Sequence, residues 1–275
     1  MPLYEAILRA VIQGFTEFLP ISSSGHLFLA PWLLGWKDAG LSFDIALHIG
    51  TLLAVLIYFF RDWMEVIARG LRLPGGRDPQ LAENPNLLWL LAGASLPIGV
   101  FGLVFKKQAE TTLRNPYVIA GMLIGVGLLM LLGEHLGKRH KTIAQVSWLD
   151  ALIIGGAQAL AIVPGTSRSG ATITAALFRD IDRPTAARFS FLLSTPAVGA
   201  AGAKAVYDAY KEGALGTLMT SECLIGIAVS AVTGCLVIQF FMNYLRRAGL
   251  KPFIYYRIAF GILVLALAIV RPQAG

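Results

Sequence analysis

The chain reads as an all-α polytopic membrane protein built as an inverted repeat, each half holding one re-entrant helix-loop-helix and three transmembrane helices. Three observations lead there. The 275 residues are 56% hydrophobic and 14% charged, with mean hydropathy +0.67, whereas soluble domains carry about 25% charged residues. The apolar runs approach the roughly 20 residues that a membrane crossing requires, and the length suits roughly six to eight of them. Finally, a polar, Gly- and Ser-rich break interrupts the apolar sequence twice, as QGFTEFLPISSSGHL over 13–27 and QALAIVPGTSRSGAT over 158–172. A shift of 145 residues superposes Gln13 on Gln158, Ser22 on Ser167, Ser24 on Ser169 and Gly25 on Gly170.

Residues 3–19 have a helical pattern, but Arg9, Gln13 and Glu17 make a poor lipid-facing span. Pro20 disfavours helix at Leu19, and Ser22, Ser23, Ser24 and Gly25 can turn the chain and offer backbone N–H groups. With 25–36 this segment forms two half-helices that enter and leave on one side, tolerated only where buried in protein or lining a cavity. Residues 42–61 are the first full span, with Asp44 and His48 near its start. The connection 62–85 is the longest polar one, carrying Arg69, Arg72, Pro74, Gly75, Gly76 and Arg77. Residues 87–105 and 117–133 are uncharged and long enough to cross. In the second half, 148–163 and 169–179 flank the Pro164–Gly170 break, and spans follow at 185–207, 221–243 and 252–271. The expected organisation is one integral membrane domain over 1–275, with repeat one over about 1–136 and repeat two over about 148–271. Three crossings per half invert the second half, so that the two breaks meet near the midplane.

The net charge of +7 does not imply nucleic acid, because Lys and Arg sit at the ends of apolar runs, where they orient the chain and meet anionic headgroups. Leaving out Arg168, twelve of them flank the 62–85, 137–184 and 244–251 connections, against eight on the other side: Arg9, Lys37, Lys106, Lys107, Arg114, Lys204, Lys211 and Arg271. This places the first group in the cytoplasm and both termini outside. No cleavable signal peptide is expected, since the N-terminus lacks a basic region and a small-residue cleavage site. Cys223 and Cys235 lie in one apolar run and read as buried small residues.

Arg168 falls within a predicted membrane segment, where an arginine costs several kcal/mol unless paired or solvated, and so marks a functional site. Its fork of donors suits phosphate oxygens. Gly165, Thr166, Ser167 and Ser169 add hydroxyls and backbone donors just before a helix start, which completes an anion cradle. A purely structural pairing of Arg168 with Glu17 or Asp44 is the alternative. Glu17 can act as a base or, with Gln13 and water, hold a divalent cation. His26 is a candidate acid, base or nucleophile. Asp44 and His48, four residues apart, support the site or mark a polar helix end. His135 and His140 read as solvated. No Walker loop, dinucleotide fingerprint or HExxH motif is present. Together these groups suggest hydrolysis of a lipid phosphate.

The two long motifs, and with them the stretches 44–50 and 187–196, resemble the undecaprenyl-diphosphate phosphatases, the bacitracin-resistance family of bacterial inner membranes, over essentially the whole chain. The first motif matches the family's (Glu/Gln)-x-x-x-Glu pattern with glutamine at Gln13, which speaks against a scheme needing two carboxylates from this helix. The resemblance implies release of phosphate from undecaprenyl diphosphate, which recycles the lipid carrier for peptidoglycan synthesis, with dependence on Mg²⁺ or Ca²⁺ held at Glu17. It implies Glu17, Ser23, His26 and Arg168 as catalytic residues. Gln13, Ser22, Ser24, Gly165, Thr166, Ser167, Ser169 and Thr172 would shape the phosphate pocket, which would face the periplasm. Nucleophile and base stay open among Ser23, His26 and water. The expected partners are a polyprenyl diphosphate lipid and membrane lipids, with no nucleic acid; a homodimer is left open. Type 2 phosphatidate phosphatases are set aside, because six positions after the Ser-Arg arginine they carry a histidine where this chain has Thr174. A transporter for the same lipid shares the architecture; a non-catalytic lipid-binding protein would not need so many phosphate-type groups.

Overall fold

The computed structural model describes residues 1–270, apart from Asp38, 74–77, Arg114, Glu212 and Ala214. Of the residues singled out above, Pro74, Gly75, Gly76, Arg77, Arg114 and Arg271 therefore lie outside the described residues. Thirteen α-helices and no strand occur among the described residues. The protein is an all-α, multi-pass membrane protein.

The first half comprises α1 (Leu3–Thr16), α2 (Ser23–Leu34), α3 (Leu41–Tyr58), α4 (Phe60–Gly70), α5 (Pro79–Ala82), α6 (Leu87–Glu110) and α7 (Pro116–Leu136). The second comprises α8 (Trp148–Ala159), α9 (Arg168–Phe178), α10 (Arg183–Lys211), α11 (Leu215–Leu218), α12 (Ser221–Leu245) and α13 (Lys251–Val270). Five helices, α6, α7, α10, α12 and α13, are each long and apolar enough to cross a membrane. A sixth candidate is α3 joined to α4, bent by 72° between them.

That bend revises the reading of 62–85 as connection alone. Phe60, Met64 and Ile67, with Leu71 just past the helix end, lie on one exposed face of α4, and the opposite side buries Glu65 and Val66. Apolar residues every three to four positions beside charged ones make a helix that rests at a membrane surface, so charge content alone concealed it.

Helix α1 is polar inside and apolar outside. Glu5, Arg9, Gln13 and Thr16 are buried, while Leu3, Tyr4, Leu8, Val11 and Phe15 are exposed. It packs on α12 and, by order within each half, the corresponding α8 packs on α6. Small residues permit these approaches: a Cβ on Gly14 would come within 2.8 Å of the Ser230 carbonyl of α12, and one on Gly155 would collide with the Ala94 carbonyl of α6. Small residues at helix contacts let backbones come close where lipid supplies no hydrophobic drive.

Away from the breaks, ion pairs tie the basic connections together. Arg188 holds Asp62 at 2.6 Å and Asp78 at 2.7 Å, and Arg183 pairs with Glu134. Asp150 receives Arg179 at 2.7 Å and Lys141 at 3.2 Å. One polar pocket is lined by Asp62, Asp78, Lys138, Arg183, Arg188 and Arg246, so the three basic connections share a face.

Candidate active site

Both breaks follow the same local plan. Ser22 (φ 75°) and Ser167 (φ 68°) occupy a backbone region that favours glycine, at a cost of roughly 1–3 kcal/mol each. In return each serine caps a helix: Ser22 Oγ accepts from Gly25 N at 3.3 Å, and Ser167 Oγ from Gly170 N at 3.1 Å. The hydroxyl two residues on completes each turn, Ser24 and Ser169 each lying 3.2 Å from the capping oxygen.

The two turns are then laced together. Gly165 N donates to Ser24 Oγ at 3.1 Å, and Ser169 Oγ donates to the Leu19 carbonyl at 3.1 Å. Gly165 has φ 92°, and a Cβ there would lie 2.6 Å from the Ile119 carbonyl, so only glycine fits. Beneath them runs Arg257 of α13, fully buried. Its guanidinium donates to the carbonyls of Pro20 (3.1 Å), Gly165 (3.1 Å), Thr166 (2.9 Å) and Leu123 (3.0 Å). One side chain thereby holds both breaks. The rule that singles out Arg168 within a membrane segment applies equally to Arg257 in the last predicted span.

Where the turns meet, Glu17 and Arg168 pair. Arg168 Nη2 donates to Glu17 Oε1 at 2.7 Å, and the side chains are 15% and 7% exposed. The other carboxylate oxygen accepts from Ser23 Oγ at 2.6 Å and from Gln13 Nε2 at 3.1 Å. A cavity of about 450 Å³ opens beside this group, lined by Glu17, Ser23, Ser24, Ser167 and Arg168 on one side and by Asp44, His48 and small residues of α10 on another. The first residues of α2 and α9 face it, so two positive helix ends point at one space. Arg168 commits two donors here, to Glu17 and, at 3.4 Å, to the Ser194 carbonyl. Its remaining N–H groups can meet phosphate oxygens.

Several predicted pocket residues lie behind the wall. Gln13 is fully buried and braces Glu17. Ser22, Thr166, Ser169 and Thr172 are buried and spend their hydroxyls on the turns: Thr166 donates to the Val163 carbonyl at 2.6 Å, and Thr172 to the Arg168 carbonyl at 2.8 Å. Short polar side chains in tight turns commonly bond neighbouring backbone. Gly165 shapes the turn through its backbone.

His26 is placed apart from the cavity. Its Nδ1 lies 2.8 Å from the Ser22 carbonyl, its Nε2 lies 2.8 Å from Tyr256 Oη, and its ring stacks on Phe260 at 4.3 Å. A carbonyl only accepts, so Nδ1 carries the proton and Nε2 accepts from Tyr256. It lines an apolar groove with Phe15, Leu29, Tyr256 and Phe260. Ser23 and His26 are three residues apart on α2, a spacing that alone would put them on neighbouring positions of one face; it is the contacts with Tyr256 and Phe260 of α13 that hold the imidazole in the groove. The imidazole that does face the cavity is His48.

The bacitracin resistance protein BacA family profile matches residues 6–263. A protein of Chlorobium phaeovibrioides described as undecaprenyl-diphosphatase is 46% identical over 277 residues, covering 97% of each chain. Relatives of the same description from Chlorobaculum parvum (44% identical, 97% of each chain) and Thermodesulfovibrio yellowstonii (43% identical, 98% of each chain) align as fully. A match of this extent, carried by a fold whose two breaks converge on Glu17, Ser23 and Arg168, means that the chain belongs to the bacitracin resistance protein BacA family.

Proposed function

We propose that this protein hydrolyses undecaprenyl diphosphate to undecaprenyl phosphate and inorganic phosphate, recycling the lipid carrier used in cell-wall synthesis. The observation that carries the chemistry is the 2.6 Å hydrogen bond from Ser23 Oγ to Glu17 Oε2 on the wall of a cavity that also holds Arg168. A nucleophile, its base and the group orienting that base form a chain of contacts, the arrangement expected of an activated hydroxyl.

In this reading the diphosphate lies against Arg168 and the N-terminal turns of α2 and α9, which counter the charge on its oxygens. Ser23 Oγ attacks the terminal phosphorus, and its proton passes to Glu17 Oε2. The bond from phosphorus to the bridging oxygen breaks, and the lipid monophosphate leaves with that electron pair. Gln13 and Arg168 hold the Glu17 carboxylate in line. His26 acts at a distance, steadying the strained Ser22 turn.

A divalent cation, Mg²⁺ or Ca²⁺, belongs to the proposal. Among the described residues no cluster of three or more His, Cys, Asp or Glu surrounds Glu17, so Glu17 would be its one protein carboxylate and substrate oxygens its main ligands, a sparse set that Mg²⁺ accepts. When bound, it would offset phosphate charge.

The two halves are read as inverted repeats within one bacterial inner-membrane domain. On α3 the cavity residues Asp44 and His48 precede Tyr58 by 10 to 14 residues, about 15–21 Å along a helix. Tyr58 lies in the basic pocket, so the cavity is read as periplasmic. Phosphate release from undecaprenyl diphosphate in detergent, with and without Mg²⁺, tests the function beside Arg168→Ala and Glu17→Ala. Cation-dependent release lost in both variants is expected. No release by folded wild-type protein would overturn the reading and favour transport.

A further inference from the structure

Hydrolysis through Ser23 needs a second step that Glu17 is badly placed to start. Displacement at phosphorus sets the attacking and leaving oxygens in line on opposite sides. In the second step Ser23 Oγ is the leaving oxygen, and Glu17 stands beside it at 2.6 Å. Water must therefore arrive from the far side, where the lipid phosphate has departed. Apart from the two breaks, the cavity is lined mainly by α3 and α10. The α10 residues that line it are Ala197, Val198, Ala201, Gly202 and Ala205, none of which can take a proton. From α3 come Asp44 and His48; α6 contributes Ile98.

His48 is equipped for the task. Its Nδ1 lies 2.8 Å from the Asp44 carbonyl, which only accepts, so the proton sits on Nδ1 and the neutral ring keeps Nε2 as a bare acceptor. This is the reverse of His26, whose Nε2 already receives Tyr256. Among the described residues, the charged groups lining the same cavity are Glu17, Arg168 and Asp44.

We propose that His48 Nε2 is the general base of dephosphorylation. Water oxygen attacks the phosphorus of phospho-Ser23 while one water proton moves to His48 Nε2. The bond from phosphorus to Ser23 Oγ breaks, and Oγ recovers its proton from protonated Glu17. Inorganic phosphate departs, and His48 releases its proton to solvent. The assignment rests on Ser23 forming a phosphoenzyme, so the test separates the two.

Acid quench of purified enzyme mixed with undecaprenyl diphosphate labelled in its terminal phosphate reads both steps. In His48→Gln the expected result is a burst of about one lipid monophosphate per enzyme, retained label on Ser23, and steady turnover lowered about 10²-fold, the lower range for a lost general base. The burst itself reports a folded site. Turnover of His48→Gln at the wild-type rate without retained label, while Ser23→Ala is inactive, overturns the His48 role alone. Label retained by Asp44→Asn and not by His48→Gln does the same in favour of Asp44. An active Ser23→Ala, with no label held by any variant, overturns the phosphoenzyme and the His48 role with it.

Discussion

Replacing Glu17 by Gln separates what the carboxylate does for the fold from what it does for the reaction. At 2.7 Å two unit charges attract by about 6 kcal/mol in an effective dielectric of about 20. Desolvation of the two ions consumes much of this, yet removing one partner strands the other, at a cost of roughly 3–5 kcal/mol. Glu17→Gln keeps shape and can still accept from Arg168 through its amide oxygen, so the lower end, about 3 kcal/mol, is expected. Removing both charges in Glu17→Gln/Arg168→Met relieves the stranded guanidinium and should recover about 2 kcal/mol or more. Activity should not follow stability: without the base for Ser23, kcat should fall about 10²–10⁴-fold in the single variant and stay down in the double. Thermal unfolding in detergent, run beside phosphate release, reads both quantities. A single variant as stable as wild type would show that Arg168 does not depend on Glu17. A single variant within tenfold of wild-type kcat would remove Glu17 as base.

Three further outcomes follow from the geometry. Ser22→Gly should leave unfolding within about 1 kcal/mol of wild type, because relief at φ 75° offsets a cap that glycine weakens by only a few tenths; Ser22→Val should lower the melting temperature clearly. Burial raises the Asp78 carboxyl, but the hydrogen bond and charge of Arg188 outweigh it and hold it below the usual carboxylate value. A depressed carboxyl gives its full contribution above the unfolded value, about pH 4, and loses it as pH falls through the folded one. Protection of the α5 amides, taken relative to their intrinsic exchange rate at each pH, should therefore fall on acidification, and Asp78→Asn should remove that dependence. Arg257→Met should orphan the carbonyls of Pro20, Gly165 and Thr166 at about 1–3 kcal/mol each; exchange should rise in both breaks together, and a rise in one alone would refute the shared anchor.

Much of the architecture was legible because a membrane imposes lengths. Apolar runs of about 20 residues announce crossings, and helices form over every span expected from 87 onward. Proline, glycine and serine mark where the chain must turn, and the 145-residue echo foretells that Ser22 and Ser167 adopt the same strained φ. Helix α4 escaped because its charges conceal a one-sided apolar face. Polar residues on α1 pointed inward for the reason expected: lipid offers them no partner.

Which groups meet is a different matter. Glu17 and Arg168 are 151 residues apart; the repeat and their opposite charges suggested a pairing of Arg168 with Glu17 or Asp44, and only the fold decides that Glu17 is the partner. His26 sits three residues from Ser23, yet its contacts with Tyr256 and Phe260 of α13 hold it in an apolar groove, while His48, on another helix, faces the cavity. Hydropathy records which side chains avoid lipid, and that holds equally for a residue lining a site, such as Arg168, and for one bracing it, such as Gln13, Thr166 or Arg257. The sequence alone determined the helices, the two breaks and the chemical inventory, since those depend on local apolarity and turn preference. Only the tertiary structure decided which inward-facing groups share the cavity, because that depends on how distant helices cross and where small residues let them close.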